Sequence, residues 1–456
     1  MKIFSLTTLR ELLALSLPMV VSQGAFAVMV FTDRLFMSYI DATHIAAALG
    51  GGVAAFFCFS FFIGLIAYGN ALVAQYYGAG NRAKCPLVTS QGVFIALCST
   101  PALLAMACFG GQVFSMIGHD AAQVPLERIY FEILMAGSVF TLIKASLASH
   151  FAGIGRTRVV MVADVLGAAL NVPLSWMLIF GKLGLPQMGI AGAAVGTILA
   201  TVFTIGIYLL FYLGKDHQRQ FQVAGSFRLD WPIMRRYLRL GAPSGLESFM
   251  NISSFNLFLL LFQSYGVVQG AAMAIVFNWD MLSFIPMTGL SIGVMSLIGR
   301  FVGAGNMARA NQVISSGFIA ALAYSGVLAV CFLLFRVALV GVFDNGGEDF
   351  TAISALASYM MIGLATYMVA DGIVLIAGGA LRGAGDTRWI MITSISVHWL
   401  MLVAQYFVIV VFEYGPLVSW WVFVAMLISL AFLYLWRLFG STWREPARLA
   451  RVMSED

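Results

Sequence analysis

GAGNRAKCPLVTSQGVFIAL (78–97) and GAGNMARANQVISSGFIAAL (303–322) are one segment written twice, with ten of the twenty positions identical and no gap. The offset of 225 residues holds outward from there: Pro18 falls on Pro243, and Arg10 on Arg235. Farther along, GIGRTR (153–158) is answered by GAGDTR (383–388) at an offset of 230. The chain is therefore an internal duplication, with halves at 1–222 and 223–456.

What is duplicated is a set of apolar runs. Of the 456 residues 61% are hydrophobic and 10% charged, against roughly 25% charged in a soluble protein. Mean hydropathy is +0.94. A water-facing shell cannot be built from this composition, which excludes a soluble enzyme, a disordered chain and a nucleic-acid binder. Twelve spans are predicted, at roughly 12–38, 46–76, 87–115, 125–150, 158–180, 188–213, 236–264, 269–302, 311–342, 352–380, 389–412 and 416–439. The class is an all-α membrane protein embedded in a lipid bilayer. Six spans separate equivalent points, and an even number preserves orientation. Two parallel six-helix lobes related by an axis along the membrane normal are expected, a geometry that suits alternating access. The first run continues to about residue 38 without a small-residue cleavage site, so it reads as a retained span. Five cysteines without CxxC or Cys/His spacing suggest neither a redox pair nor zinc.

Charge fixes the expected topology. Lys2, Arg10, Arg82, Lys84, Arg156, Arg158, Lys215, Arg219, Arg228, Arg235, Arg236, Arg239, Arg300, Arg309, Arg382, Arg388, Arg437, Arg444, Arg448 and Arg451 fall on the side of the termini, 20 of the 25 basic residues. The opposite loops carry Asp41, Asp120, Asp344, Glu348, Asp349 and Glu413. Loops are short, so the positive-inside rule predicts cytoplasmic termini. The chain contains no Walker A motif and no large extramembrane domain, so uphill transport would draw on an ion gradient.

LALSLPMVVSQGAFAVMVFTDRLFMSYI (13–40), VAQYYGAGN (73–81), LNVPLSWMLIFG (170–181), GIAGAAVGT (189–197), LRLGAP (238–243), MTGLSIGVMSLIGRFVGAGN (287–306) and GALRGAGDTR (379–388) together resemble the multidrug and toxic compound extrusion (MATE) transporters. The matches run in order through nearly the whole chain. The resemblance implies an antiporter, not an enzyme, that expels drugs or toxic organic cations in exchange for H⁺ or Na⁺ and uses no cofactor. The resemblance also implies a bacterial inner-membrane location, and a monomer is expected.

Ionised groups inside spans are costly and call for a reason. Asp33, late in the first span, cannot face its neighbour Arg34, because adjacent helical residues point about 100° apart. It reads as a carboxylate that takes up a proton, on a helix already weakened at Pro18 and Gly24. The resemblance implies the same role, and places Asn171 in the polar network of that acid. Ser175, one turn later, stands where some members carry an acid. Asp164 could serve instead, or pair with Arg156 or Arg158. Glu132 reads as a partner of Arg128, and Lys144 as a residue that snorkels.

In the second half, Glu247 lies four residues after Pro243. Many members place a cation-handling Glu eight residues after this proline, where this chain has Asn251, on the same face. The resemblance also matches Tyr367, Asp371 and Asn278, and implies a Na⁺ site at Glu247, Tyr367 and Asp371. Asp280 adds a further oxygen, although at i and i+2 it and Asn278 point differently. Thirty-seven Phe, 9 Trp and 24 Met would suit lipophilic cations and equally suit lipid contact. Two other functions compete. A lipid-linked precursor flippase would need a basic cavity, and an ion channel would need a ring of charges.

Overall fold

A computed structural model describes residues 4–116, 120–344 and 349–454. Among them every regular element is helical. In the first half lie α1 (Leu6–Ser38), α2 (Ala42–Ala67), α3 (Gly69–Gly78), α4 (Lys84–Gly110), α5 (Val113–Met116), α6 (Val124–Gly153), α7 (Thr157–Phe180), α8 (Ile190–Tyr212) and α9 (Lys215–Phe221). In the second lie α10 (Trp231–Gln263), α11 (Val267–Gly303), α12 (Met307–Gly341), α13 (Phe350–Gly383), α14 (Thr387–Tyr406), α15 (Pro416–Phe439) and α16 (Pro446–Met453). Among the described residues twelve helical segments are long and apolar enough to cross a membrane, with α2 and α3 forming one span and α4 and α5 another. All twelve expected spans are present, with ends shifted by a few residues. Lys2 and Glu348, used above for topology, lie outside the described residues.

Helix ends follow the local chemistry. Asp41 caps α2 by accepting from the His44 backbone N–H at 2.8 Å, and Asn306 caps α12 by accepting from Arg309 N–H at 3.1 Å. Pro416 starts α15, where its missing N–H costs nothing. The break at Tyr68 between α2 and α3 has a side-chain cause. The Tyr237 hydroxyl of α10 donates to the Ile66 carbonyl at 2.6 Å, competing with the helix's own ladder.

The chain folds as two compact units. One takes the chain up to Val20, then Glu247–Val302 and Asn306–Met453; the other takes Val21–Leu246, Gly303–Gly305 and the residues from Ser454. Both main divisions therefore fall inside helices, two residues after Pro18 in α1 and three after Pro243 in α10. We call the unit holding Val21–Leu246 the N unit and the other the C unit.

One core of the N unit gathers Met37, Ala47, Ala48, Tyr130, Ile179, Ile190 and Ala193 from α1, α2, α6, α7 and α8. Two cores of the C unit lie among the described residues. In one, Leu12 of α1 packs with Leu290, Val294, Ile376 and Trp443; in the other, stacked rings of Phe258, Phe423 and Trp420 dominate. Arg128 and Glu132 pair at 2.6 Å, as their spacing suggests.

Candidate cation-coupling sites

In the N unit α1, α7 and α8 bring Asp33, Asn171 and Ser175 together. Asp33 is 6% exposed, and Asn171 and Ser175 are fully buried. The link is Thr197: Asn171 Nδ2 donates to Thr197 Oγ1 at 3.4 Å, and Thr197 Oγ1 donates to Asp33 Oδ2 at 2.9 Å. Gly196 lets α8 approach this closely, since a Cβ there would lie 2.8 Å from Ser175 Oγ. Asp33 Oδ1, Asn171 Oδ1 and Ser175 Oγ are buried without a hydrogen-bond partner. The Ser175 hydroxyl and the second Asn171 Nδ2–H remain as donors, and Asp33 Oδ1 is a buried acceptor left open. Thr197 was within reach of sequence reading, since it closes the motif GIAGAAVGT.

Asp164 joins a different group. Lys144 Nζ stands 3.3 Å from its Oδ1, Tyr208 donates to Oδ1 at 3.4 Å, and the Ser22 hydroxyl of α1 donates to Oδ2. Neither Arg156 nor Arg158, the partners expected from the sequence, is the cation beside Asp164; Lys144 is. Arg156 turns instead to His217 and Gln220 on α9, and Lys144 does not simply snorkel, because its side chain is only 25% exposed. Ser22 and Asp33 are eleven residues apart, close to three turns, so α1 presents both from one face.

In the C unit the expected set divides. Glu247 Oε1 accepts from Arg382 Nη2 at 2.7 Å, with Tyr434 and His398 around the pair. Asn251, one turn on, donates to Ser394 Oγ at 2.8 Å. Asp371 and Tyr367 sit elsewhere on α13. The Arg382 guanidinium lies against Gly378, seven residues or about 10 Å of helix from Asp371. Glu247 pairs with Arg382, whereas the carboxylate acting on both Tyr367 and Asp371 is Asp280, so the expected set of Glu247, Tyr367 and Asp371 is divided. Asp280 takes the place expected of Glu247, since its carboxylate lies beside the buried Tyr367 phenol, with Asp371 close to both. Asn278, the other residue expected there, is exposed and donates to Ala274 O of its own helix at 2.8 Å. Among the described residues no three His, Cys, Asp or Glu side chains gather as a metal site.

A family model described as MatE matches residues 18–177 and 243–407. Multidrug resistance protein MdtK of Yersinia pseudotuberculosis (serotype O:1b) is 26% identical over 438 residues, 94% of each chain. Two solved structures share the fold. The eukaryotic MATE transporter AtDTX14 superposes with a TM-score of 0.88 at 17% identity, covering 98% of this chain and 99% of its own. A MOP superfamily transporter from Pyrococcus furiosus, described as having a binding pocket of reverse polarity, superposes at 0.84 with 19% identity, covering 96% and 97%.

Proposed function

Because this chain belongs to the MatE family, we propose that it is a multidrug exporter of the bacterial inner membrane that exchanges organic cations for protons. Its termini are assigned to the cytoplasm by the distribution of basic residues. It is a multi-pass membrane transporter and not an enzyme. The relative named above is called a multidrug resistance protein, which supports drugs as the substrate class.

The observation that carries the coupling is the buried Asp33 carboxylate, whose Oδ1 has no hydrogen-bond partner while its Oδ2 accepts from Thr197. A proton on Asp33 Oδ1 removes that unpaired acceptor. It also removes the negative charge that would attract a cationic drug, so ion and substrate compete and coupling needs no ATP. Asp280 and Asp371 beside Tyr367 form a second acidic site. Their mutual repulsion is relieved by a shared proton or by a bound cation such as Na⁺. Glu247, already neutralised by Arg382, is assigned a structural role. Lys144 and Arg382, the basic side chains of these groups, are each matched to an acid, which disfavours an anionic flippase substrate. The acids are scattered over several helices, which disfavours a channel.

Fluorescent-cation accumulation in a pump-deficient bacterial strain tests the reading. Expression should lower accumulation, and Asp33→Asn should restore it. If wild type and Asp33→Asn both leave accumulation unchanged, the exporter reading fails.

A further inference from the structure

The turn after each GxG of the duplicated GIGRTR and GAGDTR carries a charge, but of opposite sign: Arg156 in one half and Asp386 in the other. Each holds the short helix that follows its half's sixth span. Asp386, 2% exposed, accepts from Arg437 Nε at 2.8 Å and from Arg448 Nη2 of α16 at 2.5 Å. Arg156 donates to His217 Nδ1 of α9 at 3.5 Å and to Gln220 Oε1 at 3.1 Å. The C unit thus closes its terminal helix with an ion pair, and the N unit closes α9 through histidine.

Donor identities fix the state of that histidine. Arg156 can only donate, so His217 Nδ1 accepts and carries no hydrogen. The hydrogen of a neutral His217 is then on Nε2, 3.0 Å from His150 Nε2, which must accept. His150 therefore keeps its hydrogen on Nδ1, 2.8 Å from Thr89 Oγ1. Thr89 in turn donates to the Cys85 carbonyl at 3.2 Å. The chain from Arg156 to Cys85 runs in one direction, and every member is neutral except its cationic head. A proton added to His150 sets two N–H groups against each other. One added to His217 places a second cation, with its N–H, against Arg156.

The surroundings offer such a proton little. His150 is fully buried and His217 is 2% exposed. The pair is boxed by Phe151 of α6, Tyr212 of α8 and Phe221 of α9, and Phe221 stacks on Tyr77 of α3. From α4 the ionisable neighbour is the Cys85 thiol, buried beneath Thr89. On α9 itself Lys215, Asp216 and Arg219 are exposed. We propose that His150 and His217 form an acid-sensitive latch, which clips α9 and the start of the connector between the halves to the N unit while both rings are neutral and releases it on protonation.

Burial, with the Arg156 guanidinium alongside, pushes the His217 imidazole down to about 4. A depressed histidine favours the docked state fully above its ordinary value, and that advantage is lost as pH falls below it. From about pH 7.5 to about 5.5 the undocking constant of α9 should rise by up to about tenfold. The face concerned is the one assigned to the cytoplasm, which a proton-importing exporter would acidify.

Hydrogen exchange of the full-length protein, read by mass spectrometry and corrected for intrinsic rate at both pH values, tests this without any transport step. A negative result therefore leaves the exporter reading intact. Protection of α9 should fall several-fold on acidification, while α16, held by Asp386, serves as the internal control and stays constant. His217→Phe, which keeps an aromatic ring in the box, should abolish the change in α9. Equal protection of wild-type α9 at both pH values, or the same loss in His217→Phe, overturns the latch. Should that variant not fold, ¹⁵N-histidine spectra of the wild type decide. Nε2–H on His217 and Nδ1–H on His150 near neutral pH support it, and any other pair of tautomers overturns it.

Discussion

Asp33 accepts one hydrogen bond, from a threonine 164 positions away on another helix. Thr197→Val removes that donor but leaves the acid, and one hydrogen bond to a charged group is worth roughly 1.5–3 kcal/mol. Export should fall about tenfold or more, with the pH at half-activity displaced, whereas Asp33→Asn should abolish coupling at every pH; efflux rates measured across a pH series separate the two. The Lys144–Asp164 pair makes a different prediction. Breaking one side of a largely buried pair costs on the order of 3 kcal/mol, while replacing both sides costs less. In detergent, Lys144→Met should lower the melting temperature more than the double change Lys144→Met/Asp164→Leu. The reverse order would mean that the two charges do not stabilise each other. Pairings of this kind were the least legible part of the sequence. The acids themselves stood out against the apolar runs, but Asp164 with Lys144 and Glu247 with Arg382 meet only through tertiary packing.

At the scale of helices, legibility divides along the same line. Length and hydropathy located every span, because a helix in lipid must be apolar along its whole length. The same uniformity hides which face turns inward, so Asn278 and Asp280 could not be ranked, and the structure exposes the first while seating the second beside Tyr367. The break at Tyr68 was invisible too, since its cause is Tyr237 on α10. The phenol occupies the space where a Cβ on Gly69 would stand. Gly69→Ala should therefore destabilise the protein by roughly 1–3 kcal/mol through overpacking. Tyr237→Phe, which deletes the hydroxyl, should recover part of that loss. A double-mutant cycle on melting temperatures checks it, and strict additivity would show that the two residues do not conflict.

Over the whole molecule, the repeat in GAGN and GxG(R/D)TR foretold a duplicated chain but not where its compact units part. The divisions at Val20 and Leu246 lie just beyond Pro18 and Pro243, where each proline removes a rung of the helical ladder. Topology rests on the 20 basic residues of one face. A reporter at either terminus should be shielded in intact spheroplasts and reactive after lysis; exposure of one terminus alone would require an odd number of spans. The central claim, exchange of a cation for a proton at Asp33, has its most direct test in vesicles energised by a pH gradient. Adding a fluorescent organic cation in sodium-free buffer should trigger proton release with wild type and none with Asp33→Asn. Release that persists in Asp33→Asn, or that appears only when Na⁺ is supplied, would contradict it.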